Sequence, residues 1–181
     1  EHVSFANCGL PYFVGGEIAD RDALLVQTPA SLKASLDLDV RTGHDVVAVD
    51  PAGKTVTART ADGDIELGYD ALVLAPGAQA ARPPIDGLDS SRVRTLRTVD
   101  DAVALRDRVD AGARRAVVLG AGFIGVEAAE ALAHQGLHTT LVEYAPHVLP
   151  PLETEMASLV TAELARIGVE VRAGVAAVAI E

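Results

Sequence analysis

The 181-residue sequence predicts an α/β fold, with parallel sheets crossed by helices and an antiparallel β meander. Three observations predict it. Apolar runs of strand length, such as residues 71–75 and 116–120, alternate with segments of helical periodicity. Turn signals at Asp50-Pro51-Ala52-Gly53 and Ala61-Asp62-Gly63 divide three β-prone stretches. From Thr98 onward, strand, helix, strand, helix and strand follow on short links, the order of a parallel unit with right-handed crossovers.

Thr28 reads as an N-cap, with Pro29 at the first position of a short helix through Leu36. Residues 46–50, 55–60 and 64–67 form the meander. The run Ala71-Leu72-Val73-Leu74-Ala75, ended by Pro76-Gly77, predicts a strand buried on both faces. Arg82-Pro83-Pro84-Ile85-Asp86-Gly87 is a turn-rich crossing, and a boundary near Arg97 gives two domains, 1–97 and 98–181.

Thr98 with Asp101 three residues on resembles a capping box for a helix through Val109. Residues 116–120 predict a strand, 123–135 a helix stopped by Gly136, and 139–143 the next strand. A second helix, 153–167, carries Met156, Val160, Leu164 and Ile167 on one face, with Gly168 after it. Residues 169–172 form a third strand. The chain starts at Glu1 without methionine, and residues 176–181 read as a strand cut off in mid-sheet, so a fragment is expected.

At 49% hydrophobic and 23% charged residues the composition is globular. A net charge of −11, spread along the chain, suits a solubilising surface and argues against a nucleic-acid partner, which requires a basic face. No apolar run approaches the roughly 20 residues of a spanning helix, so no membrane partner is expected. The first residues lack the basic-then-apolar pattern of a signal peptide. One cysteine permits no internal disulfide, which fits a reducing, cytoplasmic setting. No metal site is expected.

Gly120-Ala121-Gly122-Phe123-Ile124-Gly125 is a G-x-G-x-x-G pattern between an apolar strand and a helix, and Glu143 ends the next strand eighteen positions after Gly125. Gly120 permits the tight turn, Gly122 lets backbone approach a pyrophosphate, and Gly125 lets helix and strand pack closely. The pyrophosphate then meets unpaired N–H groups at the positive end of the helix. Glu143 can accept hydrogen bonds from a ribose 2′-hydroxyl and would repel a 2′-phosphate, which favours NADH over NADPH. The alternative is a loop with incidental glycines and a surface glutamate.

Ser4-Phe5-Ala6-Asn7-Cys8-Gly9-Leu10-Pro11-Tyr12 holds the only thiol. A lone cysteine is often an inert buried hydrophobe. Here Cys8 follows the cap-like Asn7 and precedes Gly-Leu-Pro, a sequence suited to the start of a helix, where free N–H donors stabilise a thiolate. A C-x-x-x-x-C dithiol would need a second cysteine at position 13, which is Phe13. Cys8 is therefore expected to pair with a substrate thiol or to cycle through a sulfenic acid.

The cysteine segment, followed by Gly15-Gly16, resembles the single-cysteine motif of coenzyme A-disulfide reductases, within the pyridine nucleotide-disulfide oxidoreductases. Further blocks carry the likeness along the chain: Gln27-Thr28-Pro29, Val40-Arg41-Thr42-Gly43-His44-Asp45-Val46, Tyr69 through Ala78, Leu96-Arg97-Thr98, and Gly120 through Glu127. The resemblance implies partial FAD-binding and NAD(P)-binding Rossmann-like (ββα) domains, the first in residues 1–97 and the second in 98–181. It implies that Cys8 forms a mixed disulfide with coenzyme A in a site lined by Ser4 and Asn7. Val46, Ala75, Pro76, Gly77, Ala78 and Arg97 would contact FAD. Gly120, Gly122, Phe123, Ile124, Gly125, Glu127 and Glu143 would hold NADH, with Glu127 near the nicotinamide. It also implies an FAD-binding start before the cysteine motif, further segments beyond the chain's end, and a homodimer, so this stretch alone is expected to be inactive.

Other activities share these residues. An NADH oxidase or peroxidase would cycle Cys8 through sulfenic acid, and Leu10-Pro11-Tyr12 leans towards the disulfide reductase. A persulfide or polysulfide reductase carries the same motif. A non-catalytic dinucleotide-binding module, or a flavin-dependent ferredoxin reductase, would not need the thiol.

Overall fold

A computed structural model describes residues 2–181. In chain order the elements are β1 (Ser4–Phe5), a 3-10 turn (Asn7–Gly9), α1 (Leu10–Val14), a second 3-10 turn (Arg21–Leu24), β2 (Leu25–Gln27) and α2 (Pro29–Leu36). The meander follows as β3 (Asp45–Asp50), β4 (Thr55–Thr60) and β5 (Gly63–Gly68). Then come α3 (Val99–Asp110), β6 (Arg115–Leu119), α4 (Phe123–His134), β7 (His138–Glu143), α5 (Thr154–Arg166) and β8 (Glu170–Ala173). The described residues fall into two compact units, 2–5 with 25–78, and 6–24 with 79–181.

In the first unit β1 pairs antiparallel with β2, and β3, β4 and β5 form the expected antiparallel sheet. The turn between β3 and β4 closes because Asp50 Oδ1 accepts from the N–H groups of Ala52 and Gly53 at 2.9 and 3.0 Å. Helix α2 starts in a reciprocal cap: Thr28 Oγ1 accepts from the Ser31 N–H at 3.1 Å, and Ser31 Oγ accepts from the Thr28 N–H at 2.9 Å. Residues 71–75 depart from expectation, since they form no strand and Val73 is 87% exposed. A strand apolar on both faces needs paired neighbours and layers over both sides. No strand among the described residues pairs with this run.

In the second unit β6, β7 and β8 form a parallel sheet in that order, with α4 and α5 as the crossovers. Ala121, Ala129, Leu141, Val148, Ala157, Leu164 and Val169 make its core, with Val160 and Ile167 packed against it. Met156, expected on the buried face of α5, is 55% exposed, and Ala157 takes the inward position. Val160, Leu164 and Ile167 lie on the core face as expected, so the departure is confined to the first turn of the helix. Residues 176–181 make a single bridge, Asp86 to Ala179, with the Ile180 N–H donating to the Asp86 carbonyl at 2.7 Å, rather than a strand. Helix α3 begins in the expected capping box, Thr98 Oγ1 accepting from the Asp101 N–H at 3.1 Å.

The cysteine segment belongs to this second unit. Leu10, Phe13 and Val14 are buried where α1 packs against α3 and α4. Arg106 Nη1 donates to the Phe13 carbonyl at 3.2 Å, and Gln135 Nε2 donates to that of Gly15. The compact units are therefore not divided by one cut near Arg97, because residues 6–24 bury their apolar side chains on the α3–α4 side of it.

Candidate functional site

The loop from β6 to α4 has the geometry its glycines predict. Gly120 holds φ +96°, and a Cβ on Gly125 would collide with the Gly120 carbonyl oxygen. Both positions therefore demand glycine as the loop stands. A Cβ on Gly122 would meet nothing within 4 Å, so the side of the loop that a pyrophosphate must approach is open. Gly122 is the extended N-cap of α4 and gives its first turn no side-chain cap, leaving N–H groups for an anion. The residues present fit a dinucleotide. Phe123 and Ile124 are exposed on that first turn.

Glu143, at the end of β7, braces this loop. Its Oε2 accepts from the Ala121 N–H at 2.6 Å and its Oε1 from the Ala145 N–H at 2.8 Å. The carboxylate is thus fixed in place beside the glycines, and each oxygen keeps a lone pair for a further donor.

Cys8 is exposed on the Asn7–Gly9 turn. It opens into a hollow of about 170 Å³ lined by Asn7, Cys8, Leu10, Pro11, Tyr12, Leu96, Phe123, Ile124 and Glu127. The thiol and the first turns of α4, more than a hundred residues apart in sequence, share one cavity. Arg97 Nη1 donates to Asn7 Oδ1 at 3.4 Å on the same side of the fold.

A smaller hollow of about 70 Å³ adjoins it, lined by Pro11, Tyr12, Glu17, Glu127, Glu130, Ala131 and His134. The charge of Glu127, with partial burial and the charges of Glu130 and Glu17, pushes the Tyr12 phenol above its ordinary range. Tyr12 and Leu96 are lining residues that motif reading misses. The one signal for Tyr12 is its place four residues after Cys8, one helical turn on.

The other expected residues lie in the first unit. Ser4 is half-buried on β1, and Val46 is exposed on β3. Ala75, Pro76, Gly77 and Ala78 are exposed and outside any helix or strand, and Gly77 holds φ +75°. No helix among the described residues is long and apolar enough to cross a membrane.

The family profile described as pyridine nucleotide-disulphide oxidoreductase matches residues 1–181. A coenzyme A disulfide reductase of Staphylococcus haemolyticus is 38% identical over 165 residues, 90% of this chain and 37% of that protein. An NADH oxidase of Methanocaldococcus jannaschii is 35% identical over 174 residues, 94% of this chain and 39% of that protein. The chain thus spans well under half the length of these relatives.

Among solved structures, reduced Bacillus anthracis CoADR-RHD superposes with TM-score 0.95 at 39% identity, covering 100% of this chain and 33% of that one. The NAD-dependent persulfide reductase of A. fulgidus gives TM-score 0.91 at 39% identity, over 96% of this chain and 33% of that one. An engineered water-forming NADPH oxidase, a mutant of the Lactobacillus brevis NADH oxidase, gives TM-score 0.86 at 31% identity, over 94% of this chain and 38% of that one.

Proposed function

This chain belongs to the pyridine nucleotide-disulphide oxidoreductases, and from that premise we propose that it is the cysteine- and nicotinamide-bearing part of an NADH-dependent, FAD-containing reductase of small disulfides, with coenzyme A disulfide as substrate. The observation that carries this reading is the shared hollow, which sets Cys8 beside Phe123, Ile124 and Glu127 of the dinucleotide helix. An exposed thiol in an otherwise largely apolar hollow suits attack on a disulfide sulfur. The Cys8 thiolate displaces one thiolate and keeps the other half of the substrate as a mixed disulfide. Asn7, held by Arg97, would orient the sulfur, and Ser4 would line the approach.

Residues of the 1–97 stretch, with Val46, the Ala75–Pro76–Gly77–Ala78 turn and Arg97, would hold FAD, and residues 98–181 the nicotinamide nucleotide. The chemistry that FAD supplies when bound is to pass the donor's electron pair on to sulfur. The open loop at Gly122 receives the pyrophosphate, and the fixed Glu143 carboxylate receives the adenine ribose hydroxyls. Preference for NADH has independent support. In the engineered NADPH oxidase, five positions are replaced, including a glycine and an aspartate eighteen positions apart. Gly125 and Glu143 stand at that same spacing. The whole protein would act as a homodimer.

The test is Cys8→Ser in the full-length flavoprotein. NADH-driven release of thiol from coenzyme A disulfide is expected to fall to background, with nucleotide binding retained. Undiminished turnover would exclude a catalytic thiol. Anaerobic titration of the wild-type protein with coenzyme A disulfide, hydrogen peroxide and polysulfide in parallel separates the readings, because a peroxidase consumes the second and a persulfide reductase the third.

A further inference from the structure

We propose that Arg106 and Gln135 are positioning residues that grip the far end of α1 by two backbone carbonyls and so set where Cys8 stands in its hollow. The two side chains come from different elements, Arg106 from α3 and Gln135 from the end of α4. Arg106 Nη1 donates to the Phe13 carbonyl at 3.2 Å, and Gln135 Nε2 donates to the Gly15 carbonyl. They converge on one point. A Cβ on Gly16 would lie 2.9 Å from Gln135 Nε2 and 3.0 Å from Arg106 Nη1. Gly16 holds φ +83°, so a glycine there both makes the turn and leaves room for the two donors. The guanidinium is itself aimed, because Arg106 Nε donates to Asp110 Oδ1 and Oδ2 at 2.9 and 3.0 Å.

The grip reaches the thiol through one short body. The Asn7–Gly9 turn runs directly into α1, and the Leu10 N–H donates to the Asn7 carbonyl, so turn and helix move together. Leu10, Phe13 and Val14 bury this body against α3 and α4. Apolar burial is non-directional, and it holds the helix down more firmly than it fixes its place along the groove. Hydrogen bonds to carbonyls are directional, and one from a guanidinium is stronger than a neutral pair. Two of them, at the end of α1 away from Cys8, fix the position along the axis.

The inference rests on the reading above, in which the Cys8 thiolate attacks a disulfide, and adds the residues that place that sulfur. The full-length flavoprotein is reduced with NADH and mixed anaerobically with coenzyme A disulfide. Arg106→Met and Gln135→Met are each expected to slow the first release of coenzyme A thiol about tenfold, where a misplacement of roughly 1 Å costs on the order of a hundredfold. Flavin occupancy and the rate of flavin reduction by NADH should stay at wild-type values, since the glycine loop lies at the other end of α4. Arg106→Lys, which restores a cationic donor, should recover most of the loss. Full-speed thiol release in either Met variant, a loss shared equally by flavin reduction, or no recovery in Arg106→Lys would overturn the proposal.

A second readout needs no turnover. The Leu10 and Gly16 amides donate to the Asn7 and Phe13 carbonyls, and their hydrogen exchange should quicken in both Met variants while the β6–β8 amides keep their protection. Unchanged exchange would mean that the two side chains hold nothing, and the proposal fails. A wild-type protein that releases no thiol from coenzyme A disulfide would instead refute the underlying function, and the exchange measurement would still decide the grip.

Discussion

Glu143 carries two duties that pull against each other in any substitution. Its carboxylate joins Ala121 to Ala145 through two backbone N–H groups, and in the proposed function its charge would also face the adenine ribose. Glu143→Gln keeps the size and one acceptor oxygen but removes the charge. We expect KM for NADH to rise about tenfold, roughly 1.4 kcal/mol of lost binding, and discrimination against NADPH to shrink. Glu143→Ala should do worse on NADH, because it also leaves the Ala121 N–H unbonded. Steady-state kinetics with both nucleotides decide it: discrimination unchanged in Glu143→Gln would make the residue a loop brace alone. At this scale the glycines were legible because their constraints are local, a positive φ at Gly120 and a close carbonyl at Gly125. Glu143 was legible at the end of its strand. Its bonds to Ala121 and Ala145 were not, and neither was the placing of Tyr12 and Glu127 in one hollow, which exists only because α1 lies against α4.

Among the elements, those with their own end signals came out where expected. Helix α3 is the clearest, since Thr98 and Asp101 exchange side-chain bonds with each other's backbone, and Asp101 Oδ2 also accepts from the Arg97 N–H at 2.8 Å. That carboxylate therefore ties the start of α3 to the segment carrying Leu96 and Arg97, at the edge of the Cys8 hollow. Thr98→Ala is expected to lower the opening free energy of the first α3 turn by about 1 kcal/mol. Hydrogen exchange should show faster exchange at the Asp101 amide, with the β6–β8 amides unaffected; unchanged protection there would mean the cap contributes nothing. The run at residues 71–75 shows the opposite case. Its apolar pattern predicts a buried strand, but a strand is satisfied only by neighbours, and periodicity does not say whether they are present. Met156 is a smaller instance: the face of α5 was readable at Val160, Leu164 and Ile167, but at the first turn Ala157 rather than Met156 is buried.

For the molecule as a whole, chain order misleads about what packs with what. The sequence pattern changes at Thr98, so a cut near Arg97 is the natural one to draw, yet Leu10, Val14 and Leu24 are buried in the unit that holds α3, α4 and the parallel sheet. Fully burying one such side chain is worth roughly 1.5–3 kcal/mol, and the faces of α3 and α4 they cover would otherwise meet water. A polypeptide of residues 98–181 alone is therefore expected to lose cooperative unfolding and to bind a hydrophobic dye. Restoring residues 6–24, joined by a flexible linker, should recover a sharp thermal transition and suppress the dye signal. Substituting Leu10 and Val14 by serine in that joined form should abolish the rescue, since the linker alone cannot supply the buried surface. Equal, sharp transitions with and without residues 6–24 would place the domain border at Arg97 after all. The expected result has a structural corollary: the segment bearing Cys8 is built into the unit that holds the glycine loop by its own core residues, so the distance from the thiol to α4 is set by packing within one unit.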